Sequence, residues 1–450
     1  MSKSDSVRMT EGSVSGRILR FAFPVFCGNL FQQLYNVVDS VVVGNFVGED
    51  ALAAVSSAGN LIFLMVGLIT GIFMGAGVVI SRYYGARQEK MVERAVHTSV
   101  GFAVAASAVM TAAGLIFVPP ILRMMGTPDS VLPNSILYFR IYFGGIGAVM
   151  LYNAANGIFQ AVGDSRHPLY YLAVSSVVNV VLDLLFVAVF QMGVGGAALA
   201  TVLSQAVCAV LAFARLGRIQ EEYRVRWSKV RMEWAMLKEI LRMGLPSGVQ
   251  NSIIAFANII VQTNINAFGA GAVAGCGSYS KLEGFAFLPI TSFSLAMTTF
   301  IGQNLGAGEY ERAKKGARFG ILLSVLLAEA VAVVMYVFAG PLIGIFNSSP
   351  DTVAYGVLQI HTISIFYFLL SYSHCVSGIL RGAGKAVIPM LVMIASWCVI
   401  RVSYITVITR FIHEIQAIFW AFPITWSISS LILMIYYFKA DWIHGFAVKK

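Results

Sequence analysis

The sequence predicts an all-α membrane protein, with twelve transmembrane helices arranged as two pseudo-symmetric six-helix lobes. Three observations carry that expectation. Of 450 residues, 58% are hydrophobic and only 12% charged, about half the charged share of an ordinary soluble domain. Apolar runs of about 20 residues or more, long enough for a helix to cross a bilayer, recur along the whole length. The two halves of the chain can also be laid over each other at a nearly constant offset.

Taken in order, the first fifteen residues are polar, and the first apolar run is too long and too poorly flanked for a signal peptide. It is expected to remain as the first helix. Spans then fall near 18–45, 52–81, 95–119, 132–160, 168–190, 193–214, 240–268, 272–302, 317–340, 354–380, 386–409 and 415–438. The longest polar interruption, about 215–242, is rich in Arg and Lys and carries Glu221 and Glu222. It divides the chain into an expected N-terminal lobe (1–214), a cytoplasmic linker (215–239) and a C-terminal lobe (240–450). The five cysteines stand singly in apolar runs; their spacing points to no disulfide framework or zinc site, and no cofactor is expected.

With the halves superimposed in register, Pro24 falls on Pro246, Asn29 on Asn251, Gly85-Ala86 on Gly306-Ala307, Pro120 on Pro341, Gly157 on Gly378 and Pro168 on Pro389. Apolar composition alone does not align prolines and glycines. Each half is expected to start on the same side, so the halves are parallel repeats about an axis along the membrane normal. Pro24 and Pro246 lie early in the first helix of their halves. A proline there removes one backbone hydrogen bond and kinks the helix, so Pro24 is a candidate hinge as well as a static bend.

Net charge +10 would suit nucleic acid, but the placement of the charges argues otherwise. With the N-terminus inside, the cytoplasmic segments and adjoining helix ends hold 26 of the 31 Lys and Arg residues. The external loops hold Arg123 and Arg410, and Arg140, Lys281 and Arg401 fall within spans. This is the positive-inside asymmetry of a chain with both termini cytoplasmic, and basic flanks suit anionic lipid headgroups. The expected setting is the cell membrane (bacterial inner or plasma membrane), with membrane lipid as a partner, no nucleic acid, and a monomer.

Two carboxylates stand out because an acid in hydrocarbon is costly and marks a functional site by default. Asp39 lies about seven residues below the outer end of the first span and Asp183 about seven below that of the fifth. Thr201 lies about eight into the sixth, so all three sit roughly 10–12 Å deep. Asn179 and Asp183 share a helix face at i and i+4, as do Ala197 and Thr201. Two carboxylates, an amide, a hydroxyl and the Ala197 carbonyl make a hard-oxygen set suited to Na⁺, or to H⁺ if the carboxylates can be protonated. The metal-ligand candidates for Na⁺ are thus Asp39, Asn179, Asp183 and Thr201. Asn153 and Asn156 in the fourth span, with Tyr35 among the aromatics, form a candidate outer shell for cation or substrate; the spans' aromatics can also stack on a planar organic cation.

The second half does not repeat this set. Its positions aligned with Asp39, Asn179, Asp183 and Thr201 carry Val261, Arg401, Tyr404 or Ile405, and Phe422, so a coupling ion is expected in the first half only. Arg401 is expected to find a structural partner on another helix, with Glu329 a candidate, or else to bind an anionic group. Lys281 and Glu283, two residues apart, cannot share a face.

The stretches Asn36-Val-Val-Asp39, Asn179-Val-Val-Leu-Asp183, Gly302-Gln-Asn-Leu-Gly-Ala-Gly308, Gly157-Ile-Phe-Gln-Ala-Val-Gly163-Asp164 and Gly378-Ile-Leu-Arg-Gly-Ala-Gly384 together resemble the multidrug and toxic compound extrusion (MATE) transporters, over residues 15–440. The resemblance implies twelve helices in two lobes around a central cleft, and export of amphipathic, often cationic, compounds in exchange for Na⁺ or H⁺. It places the first-lobe cation site on Asp39, Asn179, Asp183 and Thr201, with Ala197 offering its carbonyl, and sets Asn153 and Asn156 near it. Family acids on the seventh and tenth helices have no counterpart here, where those helices carry Gln250, Asn251, His361 and His374. The alternative is a flippase of lipid-linked precursors from the same superfamily, which would want a basic cleft and commonly more helices. An ATP-driven pump is excluded, since Gly382-Ala-Gly-Lys385 lacks both P-loop spacing and the following hydroxyl. An enzyme is not expected, because no soluble domain exists to host one.

Overall fold

Without water in the bilayer core, a chain can satisfy its backbone only by helix or closed barrel, and this chain uses helix. A computed structural model describes residues 8–46, 49–124, 131–347 and 349–444, with the side chains at 39–61, 63, 64 and 255 outside that description. Among the described residues twelve helical segments appear, of which ten, or eleven with one bent pair counted as a single span, are long and apolar enough to cross a membrane. They are α1 (Val14–Phe46), α2 (Glu49–Gly85), α3 (Glu89–Met124), α4 (Leu132–Gly144 continued by Ile146–Ala161), α5 (Arg166–Val189) and α6 (Gly193–Arg218). The second half supplies α7 (Trp234–Asn266), α8 (Ala270–Gly306), α9 (Tyr310–Val337), α10 (Pro350–Gly382), α11 (Val387–Ile408) and α12 (Ile415–Lys439).

The repeat is visible in how helices break. α4 bends by 49° between Gly144 and Ile146. At the corresponding place in the second half, α10 interrupts its α-helix with a 3₁₀ turn, Ser364–Phe366. α5 ends in a π-helical stretch, Leu184–Val189, and α11 contains one at Ile394–Ile400. The glycines repeat their task too. A Cβ on Gly157 would sit 2.8 Å from the carbonyl oxygen of Phe73, and one on Gly378 would sit 2.2 Å from that of Ser294. In each half the fourth helix therefore lies backbone-to-backbone on the second, the small-residue packing that helices use in lipid.

The chain divides into two compact units, 1–8 with 23–245 and 9–22 with 246–450. In the first, Phe139, Phe143, Ile146, Met150, Val118 and Leu122 are buried with Ala197 and Ala198 of α6. In the second, Met297, Phe300 and Ile301 of α8 and Ile379 and Leu380 of α10 are fully enclosed. Two of the three unit boundaries fall at the equivalent prolines, between Ala22 and Phe23 beside Pro24 and between Leu245 and Pro246.

The polar segment before α7 is anchored rather than loose. Lys229 pairs with Glu93 at 2.6 Å, the Arg94 Nε donates to Glu233 at 2.6 Å, and the Tyr83 hydroxyl donates to Glu239 at 2.8 Å. In the second unit, the Gln303 amide oxygen accepts from the Met9 N–H at 2.8 Å, and the Arg312 and Asn304 side chains donate to the Met9 carbonyl.

Two outcomes follow from this packing. A Cβ on Gly75 would lie 2.2 Å from the Gly244 backbone, so Gly75→Ala should destabilise the detergent-solubilised protein by about 1–3 kcal/mol through overpacking. Gly277→Ala, with open space around it, should be neutral or mildly stabilising; equal melting temperatures for the two variants would refute the close contact. The Arg94 guanidinium, with help from Arg231, holds the Glu233 carboxyl below its usual 4.5. A depressed carboxylate contributes above its ordinary value and loses that contribution as pH falls through the folded one. Hydrogen exchange in 219–233, corrected for intrinsic rates, should therefore stay protected from neutral pH down to about pH 5. Loss of protection already at pH 6 would show that another contact anchors the segment.

Candidate functional site

On α5, Asn179 and Asp183 lie one turn apart on the buried face, exposed by 1% and 0%. The π-helical stretch starts at the next residue, Leu184. A π turn misaligns the backbone ladder and recurs at functional sites. Gln191 and Gly193 then take positive φ, 54° and 59°, to reverse the chain tightly into α6. That reversal lays Ala197 and Thr201 beside the end of α5, whose π-helical Phe186 meets α6 at Gly196.

Thr201 is buried and its hydroxyl donates to the Ala197 carbonyl at 3.0 Å. The Tyr35 hydroxyl of α1 donates to Thr201 Oγ1 at 3.5 Å. Behind them the Ser175 hydroxyl donates to the Ser204 carbonyl at 2.7 Å, tying α5 to α6. A recess of about 10 Å³ is lined by Gln32, Tyr35, Ser175, Asn179, Ser204 and Gln205, close to the space one water molecule needs.

The decisive feature is the Asn179 amide. Its oxygen and its nitrogen are both buried and, among the described residues, both lack a hydrogen-bond partner. Leaving a buried polar atom unsatisfied costs about 1–3 kcal/mol, so this amide is held ready for something that enters. The structure thus brings Tyr35, Asn179, Ala197 and Thr201 together through α1, α5 and α6, with Asp183 on the same face of α5. The side chain of Asp39 lies outside the described residues. Asn153 and Asn156 are engaged elsewhere: Asn153 accepts from the Thr70 hydroxyl at 3.2 Å and donates to the Val149 carbonyl, and Asn156 accepts from Gln160 at 2.9 Å. Pro24 is buried within α1 at the unit boundary.

A model of the MatE family matches this chain twice, over residues 24–185 and 246–407. The chain belongs to the MatE family. The two matched segments begin at the equivalent prolines, Pro24 and Pro246, and are equally long. "Probable multidrug resistance protein YoeA" of Bacillus subtilis (strain 168) is 29% identical over 441 residues, 96% of this chain and 95% of that protein. The "FAD transporter" of Shewanella oneidensis is 24% identical, covering 75% of each. Among solved structures, the outward-facing conformation of a multidrug resistance MATE family transporter superposes with TM-score 0.90 at 22% identity, over 97% of this chain and 98% of that one. The protein is therefore an integral membrane transporter and not an enzyme, with the twelve-helix, two-lobe MATE fold.

Within that fold the second half holds buried polar groups whose partners the sequence did not reveal. Glu329 does not meet Arg401; its carboxylate accepts from the backbone N–H of Phe368 at 2.7 Å. Arg401 instead donates to Thr425 and Asn258, neutral residues. Arginine reaches across helices, so its partners depend on the crossing of α7, α11 and α12 rather than on spacing along one of them. Glu283 accepts from the Tyr279 hydroxyl at 3.0 Å, and Tyr279 meets Tyr367 at 3.1 Å.

If the Asn179 amide is kept for an ion, replacing it with Leu should leave the melting temperature unchanged or raised, since no hydrogen bond is lost. The same variant should abolish any stabilisation of the protein by added Na⁺ or by acidification. A Leu variant that melts well below wild type and still responds to the ion would contradict the assignment.

Proposed function

We propose that this MATE protein is a secondary active antiporter of the cell membrane, with both termini cytoplasmic, exporting amphipathic or cationic organic compounds in exchange for Na⁺ or H⁺. Its lobes are 1–214 and 240–450, joined by the 215–239 linker. The observation that carries the reading is the unpartnered Asn179 amide one turn from the enclosed Asp183 carboxylate. A buried carboxylate requires compensation, by a proton, a cation or hydrogen-bond donors. The oxygens of Asn179, Thr201, Ala197 and Asp183, with Asp39 on α1, fit a small hard cation. A proton would be held on Asp183 or Asp39.

Coupling then needs only a difference in affinity. If the cation binds one lobe arrangement more tightly and substrate the other, each displaces the equilibrium by its own differential free energy. Relatives named as multidrug resistance proteins support organic compounds as the cargo. The apolar and aromatic lining of the spans suits such compounds better than a basic pyrophosphate cleft would.

In proteoliposomes, an imposed Na⁺ gradient or an imposed pH gradient should drive efflux of a cationic dye, and testing the two separately identifies the ion. Asp39→Asn and Asp183→Asn should each reduce gradient-driven efflux at least a hundredfold, about 2.7 kcal/mol of coupling, while leaving a monodisperse protein. Wild-type rates in both variants would remove the site.

A further inference from the structure

Pro24 and Pro246 set a register of 222 that carries Asn36 onto Asn258. On the fifth helix Pro168 and Pro389 pair one position short of it, and the π-helical stretch Ile394–Ile400 supplies the extra residue. Beyond it Asn179 falls on Arg401 and Asp183 on Ile405. Past the turn into the sixth helix the register shortens by one position, and it carries Thr201 onto Phe422 and Ser204 onto Thr425. Every one of these second-lobe residues except Ile405 touches a single group, the Arg401 guanidinium. It donates to Thr425 Oγ1 at 3.0 and 3.3 Å and to Asn258 Oδ1 at 3.3 Å. It lies 4.5 Å from the Phe422 ring centre and 5.1 Å from that of Trp397. Arg401 is 1% exposed, as is Asn179, and Ile405 is fully buried, as is Asp183. Among the described residues no carboxylate lies within ion-pair distance of Arg401; hydroxyl and amide oxygens and two ring faces contact it directly, and the Glu283 carboxylate acts on its charge from farther off.

We propose that Arg401 is a tethered cation, whose guanidinium fills in the second lobe the position at which the first lobe takes its exchangeable one. The proposal rests on the ion-coupled reading for the word exchangeable, but the filling of the second pocket stands by itself. Each lobe builds the same three-helix pocket, from its first, fifth and sixth helices. In the first lobe the fifth helix presents an amide and a carboxylate, and the pocket is open to a mobile ion. In the second lobe the same two positions present a guanidinium and a methyl-bearing side chain. The carboxylate that would attract an ion is gone, and a permanent charge fills the space. Phe422 stands where the first lobe has Thr201, and with Trp397 it presents ring faces that hold a guanidinium where hydroxyls would hold a smaller, harder ion. This pocket therefore keeps one charge state throughout the cycle and needs no ion of its own.

The test is rescue by the free cation. Purified Arg401→Ala protein in detergent should melt several degrees below wild type. Millimolar guanidinium chloride should restore it saturably, and urea, the neutral isostere, should not; NaCl at the same ionic strength controls for salt. Wild type should respond to none of the three. No preference for guanidinium over urea in Arg401→Ala, or an equal response in wild type, would overturn the proposal. If Arg401→Ala does not accumulate, Arg401→Lys and Arg401→Gln decide. Lysine keeps a cation in the slot and should fold and transport with an unchanged ion requirement, whereas glutamine should lose stability; equal behaviour of the two would overturn the proposal. Melting involves no gradient and no substrate. The guanidinium result is therefore independent of the flux assays, and failure of ion coupling would leave it intact.

Discussion

The lipid bilayer supplies no hydrogen-bond partner, and the arrangement of polar groups in this protein follows from that constraint. Most hydroxyls in the spans are satisfied four residues back on their own helix. Ser99 donates to the Ala95 carbonyl, Ser278 to Ala274, Thr298 to Ser294 and Thr425 to Ala421. This local solution makes serine and threonine nearly silent in lipid. An amide can use it for its nitrogen alone, as Asn153 and Asn264 do, and carboxylates, which only accept, cannot use it at all, so the remaining polar atoms must be answered by neighbouring helices or by a ligand. The strongest cases, Asn179 with Asp183 and Arg401, fall on the fifth helix of each half. Both adjoin a π-helical stretch, where the backbone ladder is already disturbed.

The spans and the duplication were legible because they rest on signals that survive averaging: long apolar runs and a fixed interval between prolines and glycines. Gly157 and Gly378 illustrate the point, since aligning them also aligned the carbonyls of Phe73 and Ser294 on which they pack. The Asn179–Asp183 face was legible because a one-turn spacing within a single helix needs no tertiary knowledge. The partners of Arg401 were not. Spacing along the chain pointed to Glu329, whereas in the structure neutral oxygens and ring faces contact the charge and Glu283 acts on it from farther off. The repeat interval holds those partners in plain view once Arg401 is asked which first-lobe pocket it replaces. The anchoring of 215–239 was equally hidden. Its alternating charges read as a solvated linker, and only the fold brings Glu93 and Arg94 opposite Lys229 and Glu233.

The two prolines gain meaning from the same comparison. Each sits where its helix passes from one compact unit to the other, and each leaves a backbone carbonyl without its helical donor. Pro24 and Pro246 therefore mark the turn at which each helix lacks one backbone hydrogen bond.

A fixed charge also sets the energetics of transport. An ion can bias a conformational equilibrium only through a difference in affinity between states, and a guanidinium that never leaves its pocket contributes no such bias. In the proposed antiport, all of the driving free energy would then enter through the first lobe. A tenfold gradient of one monovalent cation supplies about 1.4 kcal/mol, and a membrane potential of about 100 mV adds about 2.3 kcal/mol for each net charge moved. For a neutral substrate both terms act, enough for an accumulation ratio approaching a thousandfold. For a monocationic substrate the exchange is electroneutral, the potential cancels, and the ratio is limited to that of the ion gradient. In the proposed cycle a single exchangeable site would therefore drive neutral compounds to a higher accumulation ratio than cations.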